Sequence, residues 1–212
     1  MHIRTWQADL VLMAIAAVWG ATFPLVKNAT SLTAGGVPTY WFLAVRFIMA
    51  TVLLAVVFRR RLQGLPRSTW RAGFLLGIFL FAGYAFQTFG LAYTTSAKAA
   101  FITGLSVVIV PVLSVVWLRS APSAGAWLGV LAALLGLALL SLDGSLLPSR
   151  GDLLVLMGAL GFGLHVAGVS RFGHRHDRYA LTVIQLGTAG VLSVLLHLAE
   201  RGTLGPGVEG VL

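Results

Sequence analysis

Apolar residues fill this chain in seven long blocks separated by short polar joints: residues 10–26, 40–58, 72–93, 97–118, 124–142, 153–169 and 180–198. Each block is close to the roughly 20 residues that carry a helix across about 30 Å of hydrocarbon. The blocks are too long for barrel strands, and unpaired backbone groups cannot face lipid, so the pattern predicts seven transmembrane helices. The joints carry chain-breaking residues: Gly35-Gly36 with Pro38, Gly64 with Pro66, Pro122, and Asp143-Gly144 through Pro148. Ala14-Ile15-Ala16 has the small residues of a cleavage site. Only Leu10 to Met13 precede it, too few for a signal-peptide core, so the first block is read as a retained span.

The chain also resembles itself. At an offset of 143, Asp9, Leu10, Ala16, Trp19 and Gly20 fall on Asp152, Leu153, Ala159, Phe162 and Gly163. Near an offset of 139, Tyr40, Val52 and Leu53 fall on Tyr179, Val191 and Leu192, and Arg46 falls on Gln185. Spans 1 and 2 thus pair with spans 6 and 7, giving one unit over residues 9–142 and a second over 151–212. Five spans in the first unit start the second on the opposite membrane face, which makes the repeat inverted and places a substrate site near the midplane. An equal second unit needs three more helices, so the expectation is a fragment of a ten-helix protein.

Composition agrees with a lipid environment. Hydrophobic residues make up 58% and charged residues 10%, with mean hydropathy +0.92, where soluble domains carry about 25% charge. The net charge of +9 argues less for nucleic acid than for orientation, because the basic residues flank apolar runs. With the N-terminus inside, Arg4, Arg59, Arg60, Arg61, Arg67, Arg71, Arg119, Arg171, Arg175 and Arg178 are cytoplasmic, against Lys27, Lys98, Arg150 and Arg201 outside. A multi-pass inner-membrane protein with a cytoplasmic N-terminus is expected. The absence of cysteine removes disulfides and thiolate metal sites. Small-xxx-small pairs, Gly73/Gly77, Gly125/Gly129, Ala132/Gly136 and Ala159/Gly163, suit close helix contact.

Trp19-Gly20-Ala21-Thr22-Phe23-Pro24, Arg46-Phe47, and the stretch from Gly83-Tyr84-Ala85-Phe86-Gln87-Thr88 through Lys98-Ala99-Ala100-Phe101-Ile102-Thr103-Gly104 to Pro111 resemble the EamA family of the drug/metabolite transporter superfamily. Phe162-Gly163-Leu164-His165 with Ser170-Arg171-Phe172 looks like the opening of that family's second repeat. The resemblance covers the whole chain with spans 8 to 10 lacking. It implies an all-α integral membrane fold of two inverted five-helix repeats, seven helices of which are in this chain, and a permease or exporter of small organic metabolites.

Six residues are candidates for lining the cavity: Trp19, Thr22, Tyr84, Gln87, Thr88 and His165. Tyr84, Gln87 and Thr88 stand at i, i+3 and i+4, so they share one face of span 3 and need a neighbour or a wet cavity. Offset 143 pairs His165 with Thr22, each about 18 Å along its span from opposite faces, which predicts similar depth near the midplane. A charge inside span 2 is costly, so Arg46 contacts substrate, snorkels outward on its long stem, or clamps helix ends by donating to carbonyls. Lys98 is either a snorkelling end residue or an attractant for anions. No carboxylate lies inside a span, which argues against a cation antiporter built on a buried Glu. His174-Arg175-His176 lacks acidic or thiol neighbours and reads as a charged loop rather than a metal site. The alternative is a membrane-embedded enzyme or a b-type cytochrome using His165 and His197, although their depths differ. The expected partners are a small-molecule substrate and membrane lipids, with a second copy of the chain as a candidate; no catalytic residue, cofactor, metal or nucleic acid is expected.

Overall fold

The structure is a computed structural model that describes residues 5–31, 35–113, 123–141 and 149–204. Its helices are α1 (Thr5–Thr30), α2 (Thr39–Val57), α3 (Arg67–Leu91), α4 (Ser96–Gly104), α5 (Ser106–Leu113), α6 (Ala124–Ser141), α7 (Arg150–Phe172) and α8 (Arg178–Leu204), with a short 3₁₀ turn at Arg59–Leu62 after α2. Six stretches are long and apolar enough to cross a membrane, counting α4 and α5 as one, and α6 adds 18 residues of apolar helix. The protein is an all-helical multi-pass membrane protein. The fourth span departs from a single rod: at Leu105 the backbone N–H reaches the carbonyl of Ile102, three residues back, at 3.0 Å, tightening the turn between α4 and α5. The end of that block, 114–118, lies outside the described residues.

Helix α3 is the hub, packed on α7 and α8, while α2 packs on α8. One core joins Leu43 and Phe47 of α2 to Leu80 and Ala85 of α3, Phe162 of α7 and Ala189 of α8. A second joins Phe23 of α1 to Leu91, to Ala99 and Ile102 of α4, and to Val155. The outer surface carries exposed Met13, Val18, Leu25, Met49, Leu53, Leu128 and Leu139, an apolar coat that only lipid solvates well.

Because lipid tails are as apolar as the side chains, these helices associate by close packing. A Cβ at Gly158 or Gly161 of α7 would lie 2.7–2.9 Å from backbone atoms of Gly83 and Gln87, so α3 and α7 cross where only glycine fits. Gly73 and Gly77 seat α3 on Ile184 and Thr188 of α8, Gly163 meets Ile109, and Gly136 meets Phe101. Around Gly129 there is open space among the described residues.

The two ends of the bundle are tied differently. At one end Arg61 pairs with Asp177 at 3.0 Å and Thr69 shares a hydrogen bond with His176 at 2.9 Å, joining the α2–α3 and α7–α8 connections. Asp177 also caps α8, accepting from the N–H groups of Tyr179 and Ala180. Those bonds, that of Ala180 first and Arg61 after it, hold its carboxyl below the usual range. At the other end Lys27 Nζ donates to the Thr94 carbonyl at 2.6 Å, and the Thr94 hydroxyl donates to Asp152 at 2.5 Å. Asp152 in turn closes a capping box with Ser149 at the start of α7. The C-terminal end of α1 therefore meets the N-terminal end of α7, and the two helices run antiparallel.

Candidate functional site

Between α1, α2 and α3 lies a recess of about 580 Å³, lined by Ala14, Ile15, Val18, Trp19 and Thr22 of α1, Arg46 of α2 and Tyr84 of α3. A narrower extension runs inward past Phe23 and Val26 to Gln87, Thr88 and Leu91. Helical periodicity builds both walls: Trp19, Thr22, Phe23 and Val26 form one face of α1, and Tyr84, Gln87, Thr88 and Leu91 form one face of α3, each at i, i+3, i+4 and i+7. Trp19, Thr22, Arg46, Tyr84, Gln87 and Thr88 are thereby brought together.

Tyr84 is packed between aromatic rings. Its ring meets Phe47 and Phe162 nearly at right angles, with centroids 5.2 and 4.9 Å away, the edge-to-face arrangement that aromatic quadrupoles favour. The absence of a side chain at Gly83 makes room for Phe162. The Arg46 guanidinium carbon lies 4.8 Å from the Tyr84 ring centroid, a cation–π contact. One of its nitrogens is 3.5 Å from the Tyr84 hydroxyl, at the outer limit of a hydrogen bond. Deeper in, Gln87 Nε2 donates to Thr103 Oγ1 at 2.8 Å, and that hydroxyl donates to the Ala99 carbonyl. This buried relay ties α3 to α4. Thr22 donates to the Trp19 carbonyl of its own helix, leaving its oxygen to accept from a ligand.

His165 and Lys98 stand elsewhere. His165 Nε2 lies 2.8 Å from Gln185 Oε1, so that nitrogen is the donor and the bond joins α7 to α8. Thr22 and His165 each sit about two turns from the C-terminal end of antiparallel helices. Counted from those ends, Thr22 lies nearer the Lys27 end of the bundle and His165 nearer the Asp177 end. Lys98 is half-buried in the first turn of α4, where its backbone N–H bonds the Thr95 side chain. His197 packs against Trp41 in a tilted ring pair with centroids 5.4 Å apart. It lies twelve residues beyond Gln185 on α8, about 18 Å along the helix, so His165 and His197 cannot share one iron. His176 bonds Thr69, and no three His, Asp or Glu side chains gather as a metal site among the described residues.

The tie of Lys27, Thr94 and Asp152 was not singled out from sequence as a unit. Its one signal there is the match of Asp152 with Asp9 in the repeat.

The profile of the EamA-like transporter family matches residues 6–142. An "uncharacterized transporter" of Archaeoglobus fulgidus is 36% identical over 170 residues, covering 80% of this chain and 51% of that protein. The "uncharacterized transporter YvbV" of Bacillus subtilis is 28% identical over 196 residues, covering 90% of this chain and 62% of that protein. The chain thus spans between half and two-thirds of these curated relatives. No solved structure matches it.

Proposed function

The chain belongs to the EamA-like transporter family, and on that premise we propose that it moves small organic metabolites across the inner membrane by alternating exposure of the recess between α1, α2 and α3. The observation that carries this reading is the recess itself: Thr22, Arg46 and Tyr84 present polar groups to a wide-open recess between apolar helices, and Gln87 and Thr88 extend it inward. Polar groups facing lipid would gain nothing there, whereas a solute path requires them. In this reading α1 is the element that moves: its residues 9–21 are exposed and it is pinned at its far end by Lys27. The Lys27–Thr94–Asp152 tie closes one side of the recess, and its release opens that side.

The two units, residues 9–142 and 151–212, form an inverted repeat in this reading. Supporting it, Thr22 and Arg46 line one recess, and their repeat mates His165 and Gln185 are hydrogen-bonded to each other. The N-terminus is cytoplasmic, with the arginine-rich end carrying Arg61 and Asp177 facing in.

The cysteine-free chain offers a direct test. Cysteine at Thr22 or at Tyr84 should react with an impermeant thiol reagent from both sides of the membrane, at rates that a transported solute alters. Reaction from one side only, unaffected by any solute in a metabolite screen, would refute alternating exposure.

A further inference from the structure

We propose that the recess selects organic anions, taking a carboxylate or phosphate oxyanion on Arg46 and an apolar body against Trp19 and the α1 face beside it. The inference rests on the recess being the solute path and names what that path accepts.

Arg46 lies two turns into α2, about 10 Å below the helix end. A guanidinium at that depth needs compensation. Its contact among the described residues is Tyr84, through the ring face and one marginal hydrogen bond. A helix clamp would donate to backbone carbonyls, and none accepts from Arg46 among the described residues. The ion pair found there joins Arg61 to Asp177 at the bundle end, and Asp152 is engaged by Thr94 and Ser149. The sequence places no carboxylate within a span beside Arg46. Most of the five N–H donors of this side chain thus meet no acceptor among the described residues, on a group whose planar geometry matches carboxylate and phosphate. Tyr84, fixed by Phe47 and Phe162, holds the guanidinium by its face and leaves the N–H edge for the ligand. Ala14, Ile15, Val18 and Trp19 make the opposite wall apolar. A cation would be repelled, and a neutral solute would leave the charge unpaired.

An oxyanion could come from a solute or from a lipid headgroup, and the test separates them. Radiolabelled phenylacetate binding to the purified chain is measured by scintillation proximity in phosphatidylcholine nanodiscs, with phenyl phosphate, phenylacetamide and phenethylamine as competitors. The expected result is saturable binding displaced by phenyl phosphate, at least tenfold less by the amide and the amine, lost in Arg46→Gln and partly kept in Arg46→Lys. If the amide or amine competes equally and Trp19→Ala weakens binding while Arg46→Gln does not, the anion assignment fails and the solute path stands. If no compound binds and none of the substitutions matters, the recess reading fails as well. Native mass spectrometry in phosphatidylglycerol nanodiscs checks the lipid source: retention of phosphatidylglycerol that Arg46→Gln abolishes, together with no phenylacetate binding, would assign the site to lipid and overturn the substrate assignment.

Discussion

His165 donates from Nε2 to Gln185 Oε1 across 2.8 Å, and these are the residues that sequence offsets of 143 and 139 pair with Thr22 and Arg46, two residues lining one recess. Polar bonds between membrane helices contribute about 0.6 kcal/mol on average and up to about 1.7. A double-mutant cycle with His165→Ala and Gln185→Ala should give a coupling energy in that range by unfolding in mixed micelles. Strict additivity would mean the bond carries no stability.

The tie at the far end of α1 should control entry to the recess. Thr94→Val removes the hydroxyl that reaches Asp152 while leaving the Ser149–Asp152 cap of α7 in place. Labelling of a cysteine at Thr22 by an impermeant reagent from the Lys27 side should then become several-fold faster, and Lys27→Met should act in the same direction. An unchanged rate in both variants would reduce the tie to a packing contact.

Two glycines that look alike in sequence should behave oppositely. At Gly158 a methyl group would meet backbone atoms of Gly83 and Gln87 at 2.8–2.9 Å, and backbone cannot give way. Gly158→Ala should cost about 1–3 kcal/mol, seen as a lower melting temperature in detergent. Gly129 faces open space among the described residues, and Gly129→Ala should be neutral or stabilising by up to about 1 kcal/mol through helix propensity.

Asp177 carries a cap and an ion pair at once. Asp177→Ala should cost about 1 kcal/mol through the lost cap, and Arg61→Ala less, because that pair is solvent-exposed. Since the carboxyl is held below its ordinary value of 3.8, its stabilisation is complete above that value and is lost as pH falls through the lower folded-state value. Melting curves between pH 3 and 7 should show an acid-side decline that is shallower in Asp177→Ala. An identical decline would move the effect to other carboxylates.

Sequence alone determined what the bilayer demands of any chain: helical spans of membrane length, basic joints between them, and the polar face of α3, which follows from periodicity within one helix. Tyr84, Gln87 and Thr88 were legible as one face for that reason, Thr22 through the offset of 143, Trp19 through the motif it opens, and Arg46 because an intramembrane charge is conspicuous. Only the tertiary structure decided which faces meet: Arg46 against Tyr84, His165 against Gln185, and Lys27 with Thr94 and Asp152. In lipid no hydrophobic force sorts one apolar face from another. Partners are chosen by close fit, such as the glycine crossing of α3 and α7, and fit between residues 67 or 58 positions apart leaves no period in the chain to read.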